Sequence, residues 1–384
     1  MSEWQECKIS EFCTITRGGS PRPIHDYLSQ EGTPWVKIAD ATENASRFIT
    51  KTKECIKVEG ESKSRVVFPG DLILSNSATP GLPRFMKIRA CIHDGWLLIR
   101  DLDGVDELFL YYLLIKEREA LLIQGNGSIF TNLKTDILKE HIVSIPPLPE
   151  QKAIASVLSS LDDKIDLLHR QNKTLEAMAE SLFRQWFVEN EDGKEVQVTE
   201  IIDFNPRESL PKGSMADYLE MARVQTSSFH PTNWYEREFN SGTKFRNFDT
   251  LLARITPCLE NGKTCYVTFL NEDSVGWGST EFIVMRAKER FHPFVTYALS
   301  KNQTFRDYAE GCMEGSSGRQ RVNNNHLKEF SVVLPSIEII SVINDNFSSI
   351  TERLHYNFQQ VTKLTALRDT LLPKLMSGEV KVEI

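Results

Sequence analysis

The chain has 384 residues and a formal net charge of -8, with a composition in the ordinary range for globular proteins. Its length allows two or three domains with cores of their own. No stretch is apolar for long enough to cross a bilayer, and residues 1–16 carry charges throughout with no apolar signal core, so a cytoplasmic location is expected. The acidic balance argues against a whole-protein clamp on nucleic acid, although local basic patches act within a screening length of roughly 8–10 Å.

In chain order, residues 1–147 read as a mixed globular domain. Short β-rich runs such as Trp96-Leu97-Leu98-Ile99 are broken by Gly, Pro and Asn, and a short helix is expected over residues 108–116. Pro146-Pro147-Leu148-Pro149 then ends the sheet and starts a long helix over 148–190, since proline's missing N–H is not needed in a first helical turn. Its apolar residues alternate three and four apart: Leu158, Leu161, Ile165, Leu168, Asn172, Leu175, Ala179, Leu182, Trp186. Residues 191–335 return to the mixed pattern, with Glu281-Phe282-Ile283-Val284 as a strand and a helix over 293–300. A second long helix over 336–384 follows Pro335, with the seam Phe347, Ile350, Leu354, Asn357, Val361, Leu364, Arg368, Leu371, Leu375, and ends at Pro373 and Gly378. Cys7, Cys13, Cys55, Cys91, Cys258, Cys265 and Cys312 form no C-x-x-C pair and have no histidine cluster beside them, so reduced thiols and no metal site are expected.

The second half repeats the first. Leu138-Lys139-Glu140 and Leu327-Lys328-Glu329 lie 189 residues apart, as do Ile9-Ser10-Glu11-Phe12 and Val198-Thr199-Glu200-Ile201. Between these anchors the match drifts: Pro69-Gly70-Asp71-Leu72-Ile73-Leu74 resembles Asn247-Phe248-Asp249-Thr250-Leu251-Leu252. One framework used twice with different loops suggests two similar tasks on two targets.

A mean spacing of 3.5 keeps one helix stripe against a partner helix. Laid antiparallel, Asn172 falls beside Asn357, Leu158 meets Leu371 and Leu182 meets Phe347. Laid parallel, each asparagine faces an apolar side chain, and an unpartnered buried amide costs roughly 1–3 kcal/mol. The antiparallel pairing is therefore expected, with Arg368 snorkelling to solvent and the two domains at opposite ends of the rod. The expected fold class is α+β: two similar mixed α/β domains joined by an antiparallel coiled coil, related by a pseudo-two-fold duplication. Leu167, Phe183, Phe187, Val188, Val342, Leu367 and Leu372 lie off the seam and either pack on the domains or form a docking face for helices of a partner.

This organisation resembles the DNA-specificity subunits of Type I restriction-modification systems. Pro146-Pro147-Leu148-Pro149-Glu150-Gln151 looks like the P-P-L-x-E-Q start of that family's first spacer helix. Leu371-Leu372-Pro373-Lys374-Leu375-Met376-Ser377-Gly378-Glu379 looks like the L-L-P-x-L-x-x-G-E close of the second. The second copy departs from the pattern, because Pro335-Ser336-Ile337-Glu338-Ile339 lacks the second proline and the glutamine. The resemblance implies two target-recognition domains, each reading a half-site of double-stranded DNA, and a coiled coil that sets the unread spacer. It implies two methyltransferase subunits as partners, joined by an endonuclease/translocase subunit in cleaving complexes. S-adenosylmethionine, and ATP with Mg, would bind those partners; the chain itself would need no cofactor.

No catalytic motif competes with this reading. Gly262-Lys263-Thr264 lacks the upstream glycine of a P-loop, since Pro257 stands there, and no N-P-P-[YF], H-E-x-x-H or G-x-S-x-G occurs. A methyltransferase or nuclease fusion and a scaffold binding proteins alone remain as alternatives. Base reading needs Arg, Lys, Asn or Gln at groove edges, and phosphate grip adds Ser and Thr. The candidates are Arg17, Arg22, Lys37, Asn76, Arg84, Asn126, Ser128, Thr131 and Asn132 in the first domain. In the second they are Arg223, Gln225, Arg246, Arg254, Lys263, Ser316, Arg319, Gln320 and Arg321. The strongest cluster is Gly315–Arg321, with Gly125–Asn132 as its counterpart.

Overall fold

The structure, a computed structural model, describes residues 4–42, 46–124, 132–226, 228–316 and 318–383. The chain divides into two compact units, Met1–Asp166 with Thr362–Ile384, and Leu167–Val361. The division runs through both long helices, Leu148–Phe187 and Ile337–Leu375, because each domain buries the start of one helix and the end of the other.

In the first unit, one sheet has the order Thr14–Arg17, Trp96–Arg100, Leu72–Ser75, Pro83–Met86, Phe48–Ile49. The central run Trp96-Leu97-Leu98-Ile99 is apolar throughout because both faces are covered. A second sheet has the order Leu28–Ser29, Glu54–Ile56, Thr33–Val36, Ala90–Ile92, Arg65–Val67. Gln5–Lys8 pairs antiparallel with Ile142–Ile145.

The second unit repeats this. Ile202–Phe204, Phe282–Ala287, Thr250–Ala253 and Thr264–Tyr266 lie in the order of the first four strands of the first sheet. Tyr235–Glu238, Met215–Leu219, Gly276–Gly278 and Thr243–Phe245 repeat the last four strands of the other, including its parallel central pair. Lys194–Gln197 pairs with Ser331–Leu334, as Gln5–Lys8 does with Ile142–Ile145. Even a half-buried ion pair recurs: Arg100 Nε donates to Asp71 at 2.7 Å, and Arg286 Nε donates to Asp249 at 2.7 Å.

The helix behind each sheet differs from expectation in length. In the first unit it runs Glu107–Gln124, carried beyond residue 116 by Leu121, which is fully buried. In the second it breaks into Val295–Lys301 and Gln303–Gly311 at Asn302, whose side chain accepts from Phe305 N at 3.2 Å and caps the new helix.

The long helices pair antiparallel within each unit. In the first, Ile154 and Leu158 share a core with Leu371, Leu372, Leu375 and Met376. In the second, Leu175, Ala179 and Leu182 share one with Phe347, Ile350 and Leu354. Asn357, fully buried, donates to Asn172 Oδ1 at 2.8 Å, the contact that the seam pattern predicts. Of the remaining seam residues, Ile165 and Leu168 are buried, and Leu161, Val361 and Leu364 are half-buried. Arg368 does not snorkel. Its guanidinium meets Asp162 at 2.9 Å, and Asp162 also accepts from Tyr112 at 2.7 Å, so an inward carboxylate replaces water as its partner. Off the seam, Phe183 and Phe187 are buried in the second unit's core, with Val188 packed against it, and Leu372 packs on the first unit's core. Leu167, Val342 and Leu367 stay exposed.

Candidate nucleic-acid interface

In the first unit three candidates converge on Asp94, in the turn before the central strand. Arg17 Nε donates to the Asp94 carbonyl at 2.9 Å, and the Arg22 guanidinium lies 3.7 Å from its carboxylate. The Ser20 hydroxyl donates to Asp94 Oδ1 at 2.6 Å and, with His93 and Arg17 adding to it, holds that carboxyl below the usual range. Asn76 is buried and donates to the Asp94 carbonyl at 3.1 Å. Beside this cluster opens a cleft of about 940 Å³ lined by Arg22, His25, Trp35, Lys37 and His93 among others. Arg22 is 83% exposed and points at solvent. Lys37 pairs with Glu54. Burial pulls His93 below the ordinary imidazole range.

Two first-unit candidates are corrected. Arg84 is buried, and its guanidinium donates to the Ala41 carbonyl at 2.8 and 3.2 Å and to the Pro83 carbonyl at 2.9 Å. It holds loops together, and its burial keeps it from a groove. Asn76 is likewise buried, with its amide nitrogen donating to the turn at Asp94. Asn126, Ser128 and Thr131 lie outside the described residues; Asn132 is exposed.

In the second unit the polar loop returns to the sheet beside Arg254. Val322 N donates to the Arg254 carbonyl at 2.9 Å, as Leu133 N donates to the Asn76 carbonyl at 2.8 Å in the first. Arg321 is half-exposed and grips Glu281 through Nε and Nη2, at 2.7 to 3.0 Å. A polar recess of about 420 Å³ lies alongside, lined by Arg254, Glu314, Arg321, Val322 and Asn323–Asn325. Arg319 and Ser316 are exposed, and Arg319 makes no side-chain bond among the described residues. The Gln320 carbonyl accepts from Thr256 N and Oγ1 and ties the loop down.

The other second-unit candidates scatter. Arg223 sits 3.7 Å from Glu220, and Arg246 pairs with buried Glu208 at 2.6 Å. Lys263 is half-buried, and its Nζ donates to the Met221 carbonyl at 2.9 Å. Gln225 is half-buried. Sequence reasoning sought only donors and so missed the acids that organise them, Asp94, Glu281 and Glu314. Their signal lies in position: Asp94 and Glu281 each stand just before a central apolar strand.

Among the described residues no helix is long and apolar enough to cross a membrane, and no group of three His, Cys, Asp or Glu could hold a metal ion. All seven cysteines are free thiols.

Comparison with known proteins bears on the whole chain. Residues 1–177 match the family model described as Type I restriction modification DNA specificity domain. The chain is 25% identical to the Type I restriction enzyme MjaIX specificity subunit of Methanocaldococcus jannaschii, over 99% of this chain and 94% of that one. It is 21% identical to the HindI specificity subunit of Haemophilus influenzae, over 99% and 100%. The crystal structure of the S subunit of a Type I system from M. genitalium shares the fold, with a TM-score of 0.58 at 15% identity, over 97% of this chain and 96% of that one. Residues 1–177 thus match the DNA specificity domain, and the whole chain, with its duplicated framework and paired long helices, is similar along its length to Type I restriction enzyme specificity subunits.

Proposed function

We propose that the chain reads a bipartite, asymmetric DNA site, one half-site per recognition domain, and directs adenine methyltransferase subunits to it without catalysis of its own. One observation carries this reading: the same four-strand order and the same loop return occur in both units, with different cations on the turns beside them, Arg17 and Arg22 in one and Arg321 in the other. A repeated scaffold with divergent donors suits two readers of two different sequences. Double-stranded DNA and two methyltransferase subunits are the partners, joined by an endonuclease/translocase subunit where cleavage occurs. S-adenosylmethionine belongs to the methyltransferase, and ATP with Mg to the translocase. The paired helices would fix the number of unread base pairs between half-sites. The test is to map methylated adenines in DNA exposed to the assembled complex. Methylation confined to two short conserved blocks with a constant gap supports the reading. Methylation at a single contiguous block, or none above that of the methyltransferase alone, refutes it.

A further inference from the structure

Strand register makes positions in the two units equivalent. Trp96 pairs with Ser75 as Phe282 pairs with Ala253, and Asn76 N donates to the Gly95 carbonyl as Arg254 N donates to the Glu281 carbonyl. Gly95 and Glu281 therefore occupy one place in the turn before the central strand. In the first unit that place must be glycine, because a Cβ there would lie 2.1 Å from the His93 ring; the carboxylate comes from Asp94, one residue earlier. In the second unit the place carries the carboxylate itself. Both turns thus present an acid to arginines of the candidate interface, Arg17 and Arg22 in one unit and Arg321 in the other.

An acid is an odd element in a DNA-facing surface, since it repels phosphate. A half-exposed ion pair adds little to stability after solvent screening, so stability alone does not account for it. Geometry supplies a reason. A guanidinium has five N–H donors in a fixed fork. Glu281 takes the edge formed by Nε and Nη2. The Nη1–Nη2 end is left pointing away, and Nη1 makes no bond among the described residues. Held in this way, the free end presents two parallel donors, the pattern that matches guanine O6 and N7 in the major groove. The neighbouring recess sets Arg254 and Arg321 against Glu314, and Glu281 pairs with Arg321 beside it, so two acids offset two arginines and the recess suits a base edge better than a phosphate.

We propose that Glu281 is a positioning residue that aims Arg321 at one guanine of the second domain's half-site. This rests on the DNA-reading function proposed above. The experiment captures a randomised duplex library on the complex of full chain and methyltransferase partner, and sequences the bound fraction. Wild type is compared with Glu281→Gln, Arg321→Lys and the double variant, each checked for an unchanged thermal unfolding midpoint. Glu281→Gln should lower the preference for guanine at one position about 10-fold and leave the other positions and the salt dependence of binding nearly unchanged. Arg321→Lys should do the same, and the double variant should add nothing further. A uniform loss across all positions, or no change at any, overturns the positioning role while the DNA-reading function stands. A wild-type library without enriched bases overturns both. If Glu281→Gln alone unfolds early, Arg321→Lys decides: loss at a single guanine supports the proposal, and an unchanged profile overturns it.

Discussion

In the first unit, Tyr112 donates to Asp162 on the long helix at 2.7 Å, and two arginines flank that carboxylate, Arg368 at 2.9 Å and Arg47 at 4.0 Å. In the second, the equivalent Tyr297 donates to Glu176 at 2.6 Å, and the cation beside that acid is Lys301. Burial raises Glu176 above the usual carboxylate range and lowers Lys301 below the usual ammonium range. The same tyrosine thus fixes a recognition domain to a helix by two kinds of chemistry. One anchor is an ion network whose members depend on each other. The other is a hydrogen bond between two buried groups with one lysine beside them.

The largest expected effect breaks this comparison on the first side. Asp162→Ala takes an acceptor from the Tyr112 hydroxyl and from Arg368 Nη1, while Asp369 and Asp163 still hold the two arginines, and should cost about 3 kcal/mol for two inward donors left unmet. Glu176→Gln keeps an acceptor for Tyr297 and should cost about 1 kcal/mol or less. Denaturant titration, with hydrogen exchange to assign the loss to one unit, checks both. Equal costs would mean that the two anchors are alike.

A middle-sized effect is a pH dependence of the second unit. His230 is buried, accepts or donates at Thr268 Oγ1 over 3.0 Å and stacks on Phe358. Burial, then the neighbouring His355, takes its pKa down to about 3. A depressed folded pKa means that the unfolded chain binds the proton first as pH falls. Stability tied to neutral His230 is full above the ordinary value of about 6.5 and is lost as pH drops toward 3, by roughly 2 kcal/mol between pH 6.5 and 5. Urea midpoints across that window should fall, and His230→Phe should flatten the curve. A slope unchanged by His230→Phe would place the pH sensitivity elsewhere.

The smallest effect compares exposed cations. Arg319→Ala in one unit and Arg22→Ala in the other should each reduce the slope of log binding constant against log salt by about 1, without altering the bases preferred. A change in preferred bases would make either arginine a reader.

Much of this was legible in the sequence. The seam asparagines met because heptad spacing and the cost of an unpartnered amide leave one workable register. The duplication was legible because strand residues such as Leu72–Ser75 and Thr250–Ala253 must fill the same core. The interface was less legible. Arg84 and Arg321 look alike as letters, yet one feeds backbone carbonyls inside a loop and the other sits on a turn acid at the surface. That difference depends on contacts between residues tens of positions apart, as with Arg321 and Glu281. Arg368 was misread for the same reason: a charge on a seam looks exposed until its partner, Asp162, is found across the pair.

The most direct test of two separate readers is to map methylated adenines made by the complex carrying Arg321→Ala, base by base, against wild type. Separate readers predict relaxed sequence preference in one half-site while the other half-site and the gap between them stay as they were. Relaxation of both half-sites together, or an even fall in methylation with preference intact, would contradict it.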